Sequence, residues 1–177
     1  MLRRAREVAR GGAPTHNLPM LEIERLSWLK PRYLVRDDRG SSGEWVRARF
    51  KESMAGELGG RRYEFARDGR KRFSLIEGGR VLATADAARR GRWAISVGGS
   101  AYELARRSAW RSEMELRAAG EAVGRIHRGR AARGKVVCEL PAELPAPVQA
   151  FAGLLALTLW NRAAASSSGA ASAASSG

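Results

Sequence analysis

The run FAGLLALTLW, Phe151 to Trp160, constrains this chain more than any other stretch. Read as a helix, it has no polar side. Phe151, Leu154, Leu155, Leu157, Leu159 and Trp160 point all round the cylinder, with the small Ala152, Gly153 and Ala156 between them. A helix without a polar face must be enclosed, by lipid or by protein. Length argues for protein. The apolar stretch from Pro147 to Trp160 would span about 21 Å at ~1.5 Å per residue, whereas a membrane span needs about 20 apolar residues. Extending it backwards meets Pro145, Glu143 and Pro141. Proline suits a helix's first turn, so Pro147 reads as the helix start. Thr158 can return its hydroxyl to the carbonyl one turn back. No transmembrane span is expected.

The rest of the chain supplies an enclosure. RRYEFAR sets Tyr63 and Phe65 opposite Arg62 and Glu64, and GRWAISV sets Trp93, Ile95 and Val97 opposite Arg92, Ala94 and Ser96. AYELAR separates Tyr102 and Leu104 from Glu103 and Ala105, and EMELR separates Met114 and Leu116 from Glu113, Glu115 and Arg117. EWVRARF is read with Val46, Ala48 and Phe50 on one face and Trp45, Arg47 and Arg49 on the other. Period two over short runs marks half-buried antiparallel strands. Gly59-Gly60, Gly78-Gly79, Gly98-Gly99 and the stretch from Asp37 to Gly43 punctuate them as turns. About eleven strands fit between Met20 and Leu140.

An internal repeat runs through these strands. The segment beginning at Tyr63 resembles the one beginning at Tyr102, with Gly79 matching Gly120 and Gly91 matching Gly134. A hairpin from Tyr33 resembles the middle of each copy. Two and a half copies are too few for a propeller, which needs about four blades. Repeated meander strands curling into one barrel fit better. A barrel of eight strands is filled by its own side chains, whereas a wider one has room for a rod about 10 Å across. Small residues, Ala83 and Ala85 on one strand and Ala122 and Gly124 on another, would leave that room.

These Gly-punctuated two-strand units, followed by ELPAELPAPVQAFAGLLALTLWNR, resemble the tubby C-terminal-like superfamily, which includes the LURP-one-related proteins and the phospholipid scramblases. The resemblance covers about Met20 to Asn161 and rests on architecture. It implies a mainly β fold: an antiparallel closed barrel of about twelve strands around a hydrophobic C-terminal central helix, residues 147–161. It places the missing strand between Phe50 and Gly60. It also implies membrane-lipid binding. The scramblase-type cysteine cluster and calcium loop have no counterpart here, and no binding motif carries over residue by residue.

Charge points the same way. The net charge is +14 and the pI about 11.4, which favours anionic partners: an anionic phospholipid or membrane surface, nucleic acid, or acidic protein. Arginine far outnumbers lysine, which a coding bias would produce, but the excess of basic over acidic residues needs another cause. The candidate anion-binding residues are Arg61 and Arg62, Arg70, Lys71 and Arg72, and Arg89, Arg90 and Arg92. Arg106-Arg107 and Arg125-Arg128-Arg130-Arg133 form further clusters. Most lie at strand ends, and in a barrel those gather at the rims. Aromatics among basic residues would suit stacking on single-stranded nucleic acid; only Trp45 and Trp110 escape the apolar faces in this reading. Outside the clusters there is little chemistry. His16 and His127 have no partners nearby in sequence, and Asp37-Asp38 reads as a turn rather than a calcium loop. No nucleophile elbow, P-loop or dinucleotide fingerprint occurs. The expectation is therefore a non-enzymatic binding module for an anionic membrane surface, without cofactor or metal; the alternatives are a nucleic-acid-binding protein using the same arginines and a structural or partner-docking protein with the charge as solubiliser. Cys138, the only cysteine, reads as buried core and suits a reducing, cytoplasmic setting. Residues 1–19 read as a flexible basic lead, 20–162 as the barrel with its helix, 163–177 as a disordered Ala/Ser/Gly tail, and the whole as a monomer, peripheral at the membrane.

Overall fold

The computed structural model describes residues 20–27, 29–48, 52–107, 112–129 and 134–173, without the side chains of Arg90 and of 167–173. Twelve strands run β1 (Met20–Ser27), β2 (Arg32–Arg36), β3 (Ser42–Arg47), β4 (Met54–Leu58), β5 (Arg61–Asp68) and β6 (Arg72–Glu77), then β7 (Arg80–Ala87), β8 (Trp93–Val97), β9 (Ser100–Arg106), β10 (Glu113–Ala118), β11 (Glu121–Arg128) and β12 (Lys135–Glu139). Each pairs antiparallel with its neighbours in sequence, and β1 pairs with β12, so the barrel closes. Closure removes the edge strands that would otherwise invite pairing with another chain. β4 occupies the segment where the resemblance placed the missing strand.

One helix, α1 (Ala146–Ala173), follows β12. It packs against β1 and β12 on one side and against β6 on the other. Those strands lie on opposite sides of the ring, so α1 runs along the lumen. Its residues are buried on every face from Val148 to Trp160, apart from a half-buried Leu159. Phe151 tilts against Phe65 of β5 at 5.6 Å between centroids. Thr158 donates to the Leu154 carbonyl at 2.8 Å, as a hydroxyl in dry surroundings must. The buried Gln149 amide donates to the Leu144 carbonyl at 2.8 Å and so ties the lead-in to the first turn. The close fit has one point of backbone approach: a Cβ at Gly153 would lie 2.6 Å from both Cys138 Sγ and Ile23 Cδ1.

The helix starts at Ala146, with Pro147 in its first turn, and does not stop at Asn161 as the sequence reading had it. Burial ends at Trp160, and the helix continues through the Ala/Ser/Gly stretch to Ala173. Alanine has the highest helix propensity, and a helix already nucleated inside the barrel extends at little cost.

The wall is thinned where aromatic rings need space. Trp45 on β3 and Tyr63 on β5 stack at 6.3 Å and 9°, and the residue between them on β4 is Gly56. Phe73 on β6 and Trp93 on β8 meet at 5.5 Å across β7, whose inward residues are Ala83 and Ala85. Two sequence expectations are corrected here. Trp45 is fully buried and Val46 is exposed, the reverse of the assigned faces. The glycine opposite makes room for the indole, a signal that period two alone does not carry. Ala122 is exposed instead of lining the lumen, because the β10–β11 register shifts between Leu116 and Arg117 and leaves Val123 unpaired. Phe50 lies outside the described residues.

The repeat is a four-strand unit. β5–β8 and β9–β12 match strand for strand, and the β6–β7 register shifts between Leu75 and Ile76, leaving Leu82 unpaired. Leu82 and Val123 hold equivalent places in the two units. Such bulges locally increase twist and bend the wall.

Candidate anion-binding rim

Because successive strands reverse, connections after odd-numbered strands lie at one end of the barrel and those after even-numbered strands at the other. α1 follows β12, so it enters at the second end and leaves at the first. Two contacts mark the exit. Arg162 Nε donates to Glu52 Oε1 at 2.9 Å, in the β3–β4 connection, and the Arg128 guanidinium of β11 lies 5.5 Å over the Trp160 ring.

The entry end is built from minimal turns. Gly59-Gly60, Gly78-Gly79, Gly98-Gly99 and Ala119-Gly120 join strands with two residues, all at positive φ. That geometry matches the twist of the flanking strands and favours glycine. The charged residues of the described entry-end connections are Asp37, Asp38, Arg39 and Glu143. Asp37 Oδ1 accepts from the Arg39 and Ser41 amides at 3.0 and 2.7 Å, the turn role expected for it.

The exit end carries Lys30, Arg70, Lys71, Arg89, Arg92 and Arg107 in its described connections, against Glu52. The structure therefore brings together Arg70, Lys71, Arg72, Arg89 and Arg92. The Ala87 amide donates to the Lys71 carbonyl at 2.7 Å, which fastens the β5–β6 turn beside the β7–β8 connection. Of Arg90 only the backbone is described, in a single 3-10 turn, Arg89–Gly91, at the same end. Arg61 and Arg62 separate from the group: they open β5 at the entry end, and Arg61 pairs with Glu77 at 3.2 Å. Arg130, Arg133 and Trp110 lie outside the described residues.

Several rim arginines are already engaged. Arg72 pairs with Asp86 at 2.7 Å, Arg92 with Glu103 at 3.1 Å, and Arg107 with Glu113 at 2.9 Å. The hydrogen bond to Asp86 pushes Arg72 further above its ordinary value. Glu52 bridges Arg162 and Arg67, and the hydrogen bond from Arg162 holds its carboxyl below the usual range. Arg162 also lies 5.1 Å over Phe73. Lys30, Arg70, Lys71, Arg89 and Arg106 have no ion-pair partner among the described residues. Arg70, Lys71 and Arg89 fall on the adjacent connections β5–β6 and β7–β8, Arg106 is the last residue of β9 beside them, and the four form one arc without ion-pair partners among the described residues.

Below that arc the outer wall is grooved. Two hollows of about 300 and 330 Å³ lie over β8, β9 and β10. The first is lined by Arg92, Ala105, Arg106, Arg107, Glu115 and Arg117; the second reaches Ala101, Tyr102 and Glu103 and shares Arg92 and Arg117. The sequence reading missed Arg117. It alternates outward like Glu115, and nothing in a period-two pattern distinguishes a groove wall from an ordinary solvated face.

Cys138 is buried, and burial pushes its thiol well above the ordinary value. His127 sits half-buried on β11, its Nε2 3.5 Å from Glu139. Among the described residues no helix is long and apolar enough to cross a membrane. No protein-family model matches this sequence, and no curated protein matches it either.

Proposed function

We propose that the protein is a tubby-like binding module that docks on an anionic membrane surface through one flank of the exit-end rim. The observation that carries this reading is the arc of Arg70, Lys71 and Arg89 on two adjacent connections with Arg106 at the end of β9, none ion-paired among the described residues, set against an entry end whose connections carry Asp37, Asp38 and Glu143 with Arg39 alone. Guanidinium and ammonium groups left without internal partners are available to phosphate. The resemblance to the tubby-like superfamily draws support from the closed twelve-stranded barrel and the apolar helix on its axis.

Docking is oblique. α1 continues for residues 161–173 past the rim, about 20 Å at ~1.5 Å per residue. A flat surface therefore cannot rest on all six exit-end connections at once, but it can meet the β5–β10 flank beside the helix. A nucleic-acid ligand for the same cations is the weaker reading, because Trp45, which would have offered a stacking face, is buried.

Vesicle co-sedimentation tests the proposal. At ~0.15 M salt, where the Debye length is ~8 Å, the protein should sediment with phosphatidylserine-containing vesicles and not with neutral ones. Each basic residue near such a surface contributes about 1 kcal/mol, so replacing Arg70, Lys71 and Arg89 by serine should weaken binding by about 100-fold. Arg62→Ser, at the other end, should leave it unchanged. Equal sedimentation with neutral and anionic vesicles would remove the membrane role.

A further inference from the structure

We infer that the groove on the outer wall of β8–β10 is a site for a phosphoryl group, held between Arg92 and Arg117 with Arg106 at its mouth. This goes beyond surface docking, which needs only charge at the rim. Arg92 and Arg117 line both hollows, so they stand where the two meet. The lining brings four arginines, Arg92, Arg106, Arg107 and Arg117, against two carboxylates, Glu103 and Glu115.

Arg117 is the informative member. Its Nε is buried and has no hydrogen-bond partner, and its contact with Glu115, at 3.7 Å, is too long for a hydrogen bond. The side chain as a whole is 37% exposed and lines both hollows, so its terminal N–H groups are the ones placed to meet an acceptor there. Glu103 holds Arg92 at 3.1 Å and lies opposite Arg117 in the β9–β10 pairing, which makes it a positioning group for Arg92. The alanines at 101 and 105 add no polar atoms that would compete for the ligand. A phosphoryl group suits this frame because its peripheral oxygens can accept from two guanidinium forks at once. The groove lies open to solvent along its length, so the group can belong to a lipid headgroup or to a soluble phosphorylated molecule.

Calorimetric titration of the full chain with inorganic pyrophosphate at ~0.15 M ionic strength, with sulfate as control, tests the site. One saturable site should appear for pyrophosphate. Arg117→Gln should weaken it by about tenfold or more, and Glu115→Gln, which removes a competing carboxylate, should tighten it. The Arg70/Lys71/Arg89 serine variant should bind pyrophosphate like wild type. Equal heats for sulfate and pyrophosphate, or wild-type affinity in Arg117→Gln, would overturn the inference. If Arg117→Gln melts early, Glu115→Gln decides, and failure to tighten overturns it. The source of the phosphoryl group is read from phosphatidylcholine vesicles containing phosphatidic acid or phosphatidylserine. An Arg117-dependent preference for phosphatidic acid places the ligand on a membrane; pyrophosphate binding without that preference places it in solution. Pyrophosphate binding with no vesicle binding keeps the groove and removes the docking reading. Vesicle binding without pyrophosphate binding does the reverse.

Discussion

The two ends of the barrel carry out different tasks with the same strands. At the entry end, four two-residue turns at positive φ fix the register of their hairpins, and β2–β3 is the one strand-to-strand connection there long enough to present charged side chains. At the exit end the described connections are mostly longer, carry most of the uncompensated cations and surround an emerging helix. The contrast teaches that register and exposed charge are divided by parity. Connections after even-numbered strands set the geometry, and those after odd-numbered strands carry the cations that the proposed docking would use, as loops freed from structural duty commonly do.

The largest test removes what distinguishes entry from exit. Phe151→Ala empties a fully buried site against Phe65 and should cost about 3–5 kcal/mol in urea denaturation. A cost under about 1 kcal/mol would mean that the lumen collapses around a helix that does not organise it. Next come the turns. Gly79→Val should lose about 1–2 kcal/mol or more through its left-handed backbone. A Gly-Ser insertion after Ala88 at the exit end should cost less than about 1 kcal/mol. Similar costs for the two changes would erase the proposed division. Smaller still is Glu52→Gln, which should lose about 1–2 kcal/mol at neutral pH. Arg162 depresses the folded-state value of Glu52. Its contribution is therefore present above the unfolded value of about 4.3 and disappears as pH falls through the folded one. Wild-type and Glu52→Gln stabilities should converge in acid. The smallest effect is a gain: Ala119→Gly relieves the one non-glycine at positive φ among the described residues and should add about 0.5–1 kcal/mol.

Much of this fold could be read from local pattern. The alternation in RRYEFAR, GRWAISV and EMELR identified inward faces because each strand has one wet side. FAGLLALTLW identified the axis because a helix apolar all round must be enclosed and this run is too short for lipid. Trp45 was misplaced because its burial depends on Gly56 of the next strand, a cross-strand fact invisible to periodicity. Ala122 was misplaced by a bulge that shifts phase midway along β11. The candidate site was legible in part. Arg70, Lys71, Arg72, Arg89 and Arg92 share an end because two strands separate their turns, whereas Arg61 and Arg62 lie one strand too early. Arg117 could not be singled out, since a groove depends on the size of neighbours on other strands, here the alanines at 101 and 105.

The close approach of Gly153 to Cys138 gives the molecule an internal clock. The sulfur lies against the helix backbone, is fully buried, and is the chain's only thiol. A reagent in solution reaches it only when the rod slides out or the wall opens, so the rate of labelling under native conditions measures how often the molecule uncorks itself. Changes that loosen the exit latch at Glu52 should quicken that rate, and changes confined to the basic arc should not.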